Sequence, residues 1–322
     1  MNENTTGHWT TLDGAPFYRI EGAEHMPVFL MSLVSPSDLW MFVASNGGLT
    51  AGRRNTERPL FPYMTEDRVC DSAGVNGPRT IIEVLDGHGA KVRWEPFRQL
   101  VEEDKITRAL MKNVAGDCLV FEETNHALGL RFSYSWSGSP EFGFVRAAEL
   151  SNIGGEARRV RVLDGLKNIL PALSGAIISE TRSCVLDAYK QNQLVPGQRL
   201  GIYALASQPV DRPEPMEALR AAVAWSLVPN NFRVSIAPDN DERLLRGEPL
   251  DESAEVCGRR GAYWVSGEAD LEPGQSICWR IVADTHWSQA EVAGLLEKLD
   301  SPDALARELD ASLRAAHQSL ID

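Results

Sequence analysis

Between Leu130 and Trp136 every second residue is large and apolar: Leu130, Phe132, Tyr134 and Trp136 fall on one side of an extended chain. That spacing is the signature of a strand with one face against a core. It recurs along the chain, in Cys118–Thr124, Phe142–Leu150, the stretch from Val160, Leu200–Ala206, Phe232–Ala237, Tyr263–Ser266 and Ile277–Ala283. Polar turns such as Ser151-Asn152-Ile153-Gly154-Gly155 separate these runs. Short strands at this interval predict antiparallel sheets stacked as a sandwich.

Two hairpins are expected near the start. Pro27–Ser35 and Leu39–Ala44 are dense enough in apolar residues to be buried on both faces, and Ser35-Pro36-Ser37-Asp38 turns the chain between them. Thr80–Leu85 and Lys91–Trp94 flank Asp86-Gly87-His88-Gly89, where glycine supplies positive φ, and His88 reads as a solvated residue at the tip. Other segments are less defined. Ser174–Lys190 is open between a short helix and an extended crossing. Met216–Trp225 is open between strand and helix, its alanines slightly favouring helix in isolation. Asp239–Gly261, polar and marked by Gly and Pro, reads as a long surface loop.

The C-terminal segment changes period. Ser288-Gln289-Ala290-Glu291 is a capping box, and Val292, Leu295, Leu296 and Leu299 follow helical spacing. Ser301-Pro302 opens a second helix with the stripe Leu305, Leu309, Leu313 and Ala316. The fold class expected is mainly β, a large antiparallel sandwich with C-terminal helices. The expected division is a sandwich over 1–286 and a helical linker over 287–322. A chain of 322 residues is long enough for such a core.

A formal net charge of −13 disfavours a nucleic-acid partner, whose phosphates would be repelled. No charged start with a following apolar run marks a secretory leader, and no run is long enough to span a bilayer, so the expectation is a cytoplasmic protein without a membrane partner. The five cysteines are scattered, with no C-x-x-C pair, and read as reduced, mostly buried thiols.

Motifs for chemistry are sparse. The sequence contains no P-loop, dinucleotide fingerprint, H-E-x-x-H or G-x-S-x-G. Acids come in neighbouring pairs (Glu66-Asp67, Glu102-Glu103-Asp104, Glu122-Glu123), but neighbours on a strand point to opposite faces, so these read as solvated. No catalytic residue, metal or cofactor is assigned. The stretch that stands out is Ala44–Asp67, expected as a long polar, Gly- and Arg-rich loop leaving a buried strand. Its Asn46, Arg53, Arg54, Arg58, Tyr63 and Asp67 suit recognition of sugar hydroxyls or an anion, since guanidinium forks and amides make directional bonds. The bland alternative is a turn at Asn46-Gly47-Gly48 with the arginines paired to Glu57, Glu66 and Asp67. Of eight tryptophans, Trp40, Trp94, Trp136, Trp264 and Trp279 lie in strand patterns and read as core, whereas Trp9 and Trp287 sit near segment ends.

Ser45-Asn46-Gly47-Gly48 with the arginines beyond it resembles the start of cellobiose-phosphorylase-like proteins, glycoside hydrolase family ninety-four, formerly glycosyltransferase family thirty-six. Glu149-Leu150-Ser151-Asn152-Ile153-Gly154-Gly155-Glu156 and Val162-Leu163-Asp164-Gly165-Leu166-Lys167-Asn168-Ile169-Leu170-Pro171 resemble a strand–turn–strand of that family's N-terminal β-supersandwich, whose fold is similar to galactose mutarotase. Asp187-Ala188-Tyr189-Lys190 and Gly201-Ile202-Tyr203-Ala204-Leu205 extend the likeness. The resemblance implies a non-catalytic domain that shapes an oligosaccharide site and supports a homodimer, with terminal helices leading to an (α/α)-barrel in cis that carries the catalytic acid. Carry-over reaches Asn46, Gly47, Gly48 and, loosely, Arg54 and Tyr63; the spacing beyond Gly48 departs from the characterised enzymes. Two other readings remain: a standalone mutarotase-like enzyme drawing a base and an acid from His126, His286, Glu122 and Glu149, and a plain carbohydrate-binding module.

Overall fold

In a computed structural model the described residues are 5–85, 91–98, 105–209 and 216–322. Strands run in chain order as β1 (Thr6–Leu12), β2 (Ala15–Glu21), β3 (Leu30–Leu33), β4 (Leu39–Ala44), β5 (Leu49–Arg53), β6 (Pro59–Phe61) and β7 (Gly77–Leu85). There follow β8 (Lys91–Trp94), β9 (Ile106–Asn113), β10 (Cys118–Asn125), β11 (Leu130–Ser139), β12 (Gly143–Asn152), β13 (Arg158–Ile169) and β14 (Lys190–Leu194). The last are β15 (Leu200–Leu205), β16 (Ala221–Leu227), β17 (Arg233–Ser235), β18 (Glu255–Cys257), β19 (Gly261–Leu271) and β20 (Ser276–Trp287). The helices are α1 (Glu66–Asp71), α2 (Ala176–Tyr189), α3 (Asn240–Leu245), α4 (Gln289–Leu299) and α5 (Pro302–Ile321).

The strands form an eleven-stranded sheet in the order β1-β2-β9-β10-β11-β12-β20-β16-β15-β14-β18, a five-stranded sheet β17-β19-β13-β7-β8, and a four-stranded sheet β3-β4-β5-β6. Neighbouring strands pair antiparallel throughout. The inward residues of all three sheets share one core: Phe121, Phe132 and Ile281 from the large sheet meet Val160 and Val162 from the five-stranded one and Met41 and Val43 from the four-stranded one. The protein is an antiparallel β-sandwich with two C-terminal helices, as the alternation predicts.

The two terminal helices cover the other face of the large sheet. Val145, Val223, Trp225 and Val282 point outward between inward neighbours and bury against Leu295, Leu299, Leu305 and Leu309. Central strands of the large sheet are therefore apolar on both faces and lose their alternation. That decides a segment left open between strand and helix: the second half of Met216–Trp225 enters strand β16, whose Ala222 and Ala224 face the sandwich while Val223 and Trp225 face the helices. The Ser288 hydroxyl accepts from the Glu291 amide and the Glu291 carboxylate accepts from the Ser288 amide, so the capping box closes as read.

Further expectations change. Ala44–Asp67 is not a long loop: it supplies β5 and β6, with Leu49, Ala51, Leu60 and Phe61 in the core. Asp239–Gly261 contains α3, whose Leu244 packs on Ile81, Leu163 and Trp264, and the edge strand β18. Ser174–Lys190 resolves as α2. Cys257 and Cys278 are exposed rather than buried. The expected hairpin of Thr80–Leu85 with Lys91–Trp94 forms, while its tip with His88, and the acids Glu102-Glu103-Asp104, lie outside the described residues.

The middle of the sandwich holds a charged clasp. Asp164 of β13 accepts from Arg146 of β12, from Thr80 Oγ1 at 2.6 Å and from Trp279 Nε1 at 2.6 Å, and both charged side chains have 0% exposure. The guanidinium lies 4.4 Å from the Tyr134 ring centroid. A buried pair is tolerable only when its remaining lone pairs are bonded, and here several are.

Candidate functional site

At one end of β20 the four-stranded sheet, the large sheet and α4 enclose an open cleft of about 530 Å³. Its floor is Asp284 to Trp287, one lip carries Arg53 and Arg58, and α4 forms a wall with Glu291, Leu295 and Lys298. The cleft is built by long-range docking, since Arg53 and Asp284 stand 231 positions apart.

Asp284 organises the floor. Arg53 grips it with two parallel bonds, Nε to Oδ1 at 2.7 Å and Nη2 to Oδ2 at 2.9 Å. The same guanidinium donates to Asp38 at 2.6 Å and to the Pro140 carbonyl at 3.0 Å. Trp287 Nε1 donates to Asp284 Oδ2 at 2.7 Å. Burial pushes the Asp284 carboxyl above its ordinary range, and Arg53, Trp287 and the Thr285 amide pull it back only in part. Gly143 leaves room for this arrangement: at φ 88° it opens β12, and a Cβ there would sit 2.4 Å from the Asp284 Cβ.

His286 follows with φ 67°, a conformation uncommon for a residue other than glycine. It falls where the β16–β20 register shifts. Its ring bonds the Glu57 backbone, and Nε2 is buried with no partner among the described residues. Burial, then Arg58, then Arg220 push the imidazole down to about 4. At neutral pH it is an uncharged ring with an acceptor nitrogen to offer. Among the described residues no carboxylate lies within ion-pairing distance of Arg58.

Every carboxylate around the cleft is engaged. Asp284 is held by Arg53, Glu291 by its capping box and by Arg220 at 3.4 Å, and Glu141 by Lys298 at 3.4 Å. The arrangement leaves Arg58 as a directional donor at the cleft, a buried unpartnered Nε2 on His286 and the partly buried indole of Trp287, with no unengaged carboxylate beside them among the described residues.

Of the residues singled out in the sequence, Arg53 and Arg58 line this cleft; the other four do not. Arg53 pairs with Asp284 and Asp38 rather than with Glu57, Glu66 or Asp67, and its bonds are spent within the protein. Asn46 pins the turn before β5, Nδ2 donating to the Cys70 carbonyl at 2.7 Å and Oδ1 accepting from the Gly48 amide. Arg54, at φ 62°, and Asp67 on α1 are exposed. Tyr63 is exposed and meets Trp40 edge-on at 6.0 Å. The acid–base set weighed for a mutarotase is dispersed: Glu122 bonds Arg19, Glu149 bonds Ser151, His126 contacts Thr107, and only His286 is in the cleft. Asp284, Trp287, Arg220, Glu291 and Lys298 carry no local motif beyond the capping box, and nothing in their sequence neighbourhood marks them as site residues. Four tryptophans read as core are buried (Trp94, Trp136, Trp264, Trp279), and Trp9 is 64% exposed.

No protein-family model matches the sequence, and no curated protein matches it. Solved structures with a similar fold include a heparinase III, 12% identical, matched over 82% of this chain and 35% of that one with a TM-score of 0.35. A protein described as a kojibiose phosphorylase from the human microbiome is 10% identical over 99% of this chain and 34% of its own, with a TM-score of 0.41. A galactose mutarotase-like protein from Clostridium acetobutylicum is 10% identical over 88% and 99%, with a TM-score of 0.39. The chain spans about a third of the length of the heparinase and of the phosphorylase. Among the described residues no helix is long and apolar enough to cross a membrane.

Proposed function

We propose that this chain is a carbohydrate-associated, non-catalytic sandwich domain of a cytoplasmic glycoside-phosphorylase-like or glycosidase-like protein. Its cleft beside α4 holds part of an oligosaccharide, and an (α/α)-barrel in cis supplies the reacting groups. A homodimer of such domains is part of the same reading. The observation that supports it is the state of the cleft's polar groups. Among the described residues Arg58 has no ion-pairing carboxylate and the neutral His286 leaves Nε2 unpartnered, whereas Asp284, Glu291 and Glu141 are held by internal partners. A general base needs an available lone pair and a matched pKa, and an imidazole held at about 4 is a poor one at neutral pH.

The purified chain should neither phosphorolyse nor hydrolyse oligosaccharides, nor speed the interconversion of glucose anomers. A mixed cello- and malto-oligosaccharide set should contain a member that raises its Tm, as a ligand of the native state must. Arg58→Ala should weaken that ligand about tenfold, the scale of one charge-assisted bond, while leaving the Tm of the free protein within about a degree. Turnover of any of these sugars by the isolated chain would defeat the proposal, as would an Arg58→Ala variant that binds as well as the parent.

A further inference from the structure

Among the described residues, six strands form the open edges of the three sheets: β1 and β18, β17 and β8, β3 and β6. An edge strand carries a row of backbone N–H and C=O groups with no partner on one side, and folded proteins blunt it by brevity, charge, proline or a covering loop. Five of the six are blunted in this way. β18 and β17 have three residues each and carry Glu255 and Arg233. β8 has four and includes Arg93. β6 has three and opens with Pro59. β3 has four, and the turn after β9 covers it: the Gly116 carbonyl accepts from the Val34 amide at 2.9 Å, and Lys112 Nζ donates to the Ser32 carbonyl at 2.8 Å.

β1 has none of these devices. It is seven residues long, Thr6-Gly7-His8-Trp9-Thr10-Thr11-Leu12, with no proline, acid, lysine or arginine, and all but Thr10 are exposed. Its hairpin decides which groups face outward. Asp13 and Gly14 link β1 to β2 with φ 49° and 82°, the positive values of a two-residue type I′ turn. Such a turn makes Leu12–Ala15 a pair that exchanges both backbone bonds. The alternation of an antiparallel ladder then gives Thr10–Phe17, His8–Arg19 and Thr6–Glu21 the same role. The amides and carbonyls of Gly7, Trp9 and Thr11 are left pointing away from β2, and no group among the described residues bonds them there. Trp9 meets Tyr18 edge-on at 5.4 Å, and Tyr18 lies across Gly7, where a Cβ would stand 2.3 Å from the Tyr18 hydroxyl.

We propose that β1 pairs antiparallel with β1 of a second copy of this chain about a two-fold axis at Trp9, joining two large sheets edge to edge. Trp9 is the middle residue of β1, so an axis there pairs the strand over its whole length. Trp9 faces Trp9 of the second copy and Gly7 of each faces Thr11 of the other, all through the outward groups. The register is its own complement, which is the condition for a closed pair. The two Trp9–Tyr18 contacts become one aromatic row on a face of the joined sheet. Charge favours the same meeting point. In a chain of net charge −13, β1 carries no formal charge, so two identical copies meet there without setting like charges opposite. A single strand pair is smaller than a standard interface, which puts the dissociation constant on the order of 10 μM. This inference rests on the homodimer in the function proposed above and names its contact; it depends on neither the sugar nor the barrel.

Sedimentation velocity of the purified chain from about 1 to about 200 μM tests it. Monomer should pass to dimer with no larger species. Raising salt from about 0.1 to about 0.5 M should tighten the dimer about threefold, by screening the charge that each copy carries. Trp9→Lys sets two ammonium groups face to face, and Thr11→Pro removes an outward amide without costing a bond to β2. Each should weaken the dimer at least about tenfold while the Tm of the monomer stays within about 2 °C. Val92→Lys, on the edge strand β8, should change nothing. Hydrogen exchange of residues 6–12 should slow with concentration in the parent and not in Trp9→Lys. A chain still monomeric at about 200 μM sinks the contact and the homodimer together, and leaves the cleft and its sugar as they stand. A dimer that survives both β1 substitutions, or that Val92→Lys breaks, keeps the homodimer and removes β1 from it. Growth past two copies would overturn the closed pairing.

Discussion

Two arginine–aspartate pairs tie the sheets of this protein together, one in the middle of the sandwich and one at its lip. Arg146–Asp164 has no contact with solvent, and Asp164 is completed by Thr80 and Trp279. Arg53–Asp284 also adds an indole N–H, here from Trp287, but its guanidinium grips with two bonds where Arg146 gives one, and its arginine is partly open to a cleft. Both replace water around a carboxylate with fixed donors. In the interior the gain is a single way of stacking two sheets. At the lip the same device holds down a floor, and beside it stand a guanidinium without an ion-pairing carboxylate and an imidazole nitrogen without a hydrogen-bond partner among the described residues.

The interior pair should carry the larger share of stability. Asp164→Asn leaves Arg146 charged with no counter-ion in a dry core, and should cost about 3–5 kcal/mol by urea denaturation. A loss below about 1 kcal/mol would mean that the clasp is not the inter-sheet lock described. Arg53→Ala should cost less, about 2 kcal/mol, because water enters from the cleft and reaches Asp284. If it costs as much as Asp164→Asn, the lip is as dry as the core and the contrast disappears. A third effect is a pH dependence. The unfolded chain protonates His286 near its ordinary value of 6.5, while in the native protein burial, Arg58 and Arg220 hold it to about 4. Below 6.5 the unfolded state therefore binds the extra proton, so this contribution is complete above 6.5 and is lost as pH falls towards 4. His286→Asn, which tolerates the positive φ, should show a shallower loss of Tm between pH 7 and 4.5 than the parent. Equal slopes would show that His286 is not held neutral.

Much of the fold was legible because one-sided strands carry alternation: β11 reads directly as Leu130, Phe132, Tyr134, Trp136. β16 did not, since helices bury its second face and erase the pattern. The sites were legible only by half. Arg53 and Arg58 stood out in a polar stretch, yet that stretch is two strands whose side chains meet residues far along the chain. Nothing local in Asp284-Thr285-His286-Trp287 announces that the chain before α4 will be the floor under those arginines. A strand's partners are set by sheet order, and β20 pairs with β12 and β16 rather than with its sequence neighbour β19.

The wall that α4 gives the cleft rests on a core it shares with the outward face of the large sheet. Leu295 belongs to both, lining the cleft and packing among Phe142, Trp225 and Leu309. The width of the opening is therefore inherited from how the helices seat. Altered volume at Leu309, a residue outside the cleft lining, would tilt one jaw while the other stays fixed to the sandwich, so the size of guest that fits could drift without any change among the lining groups.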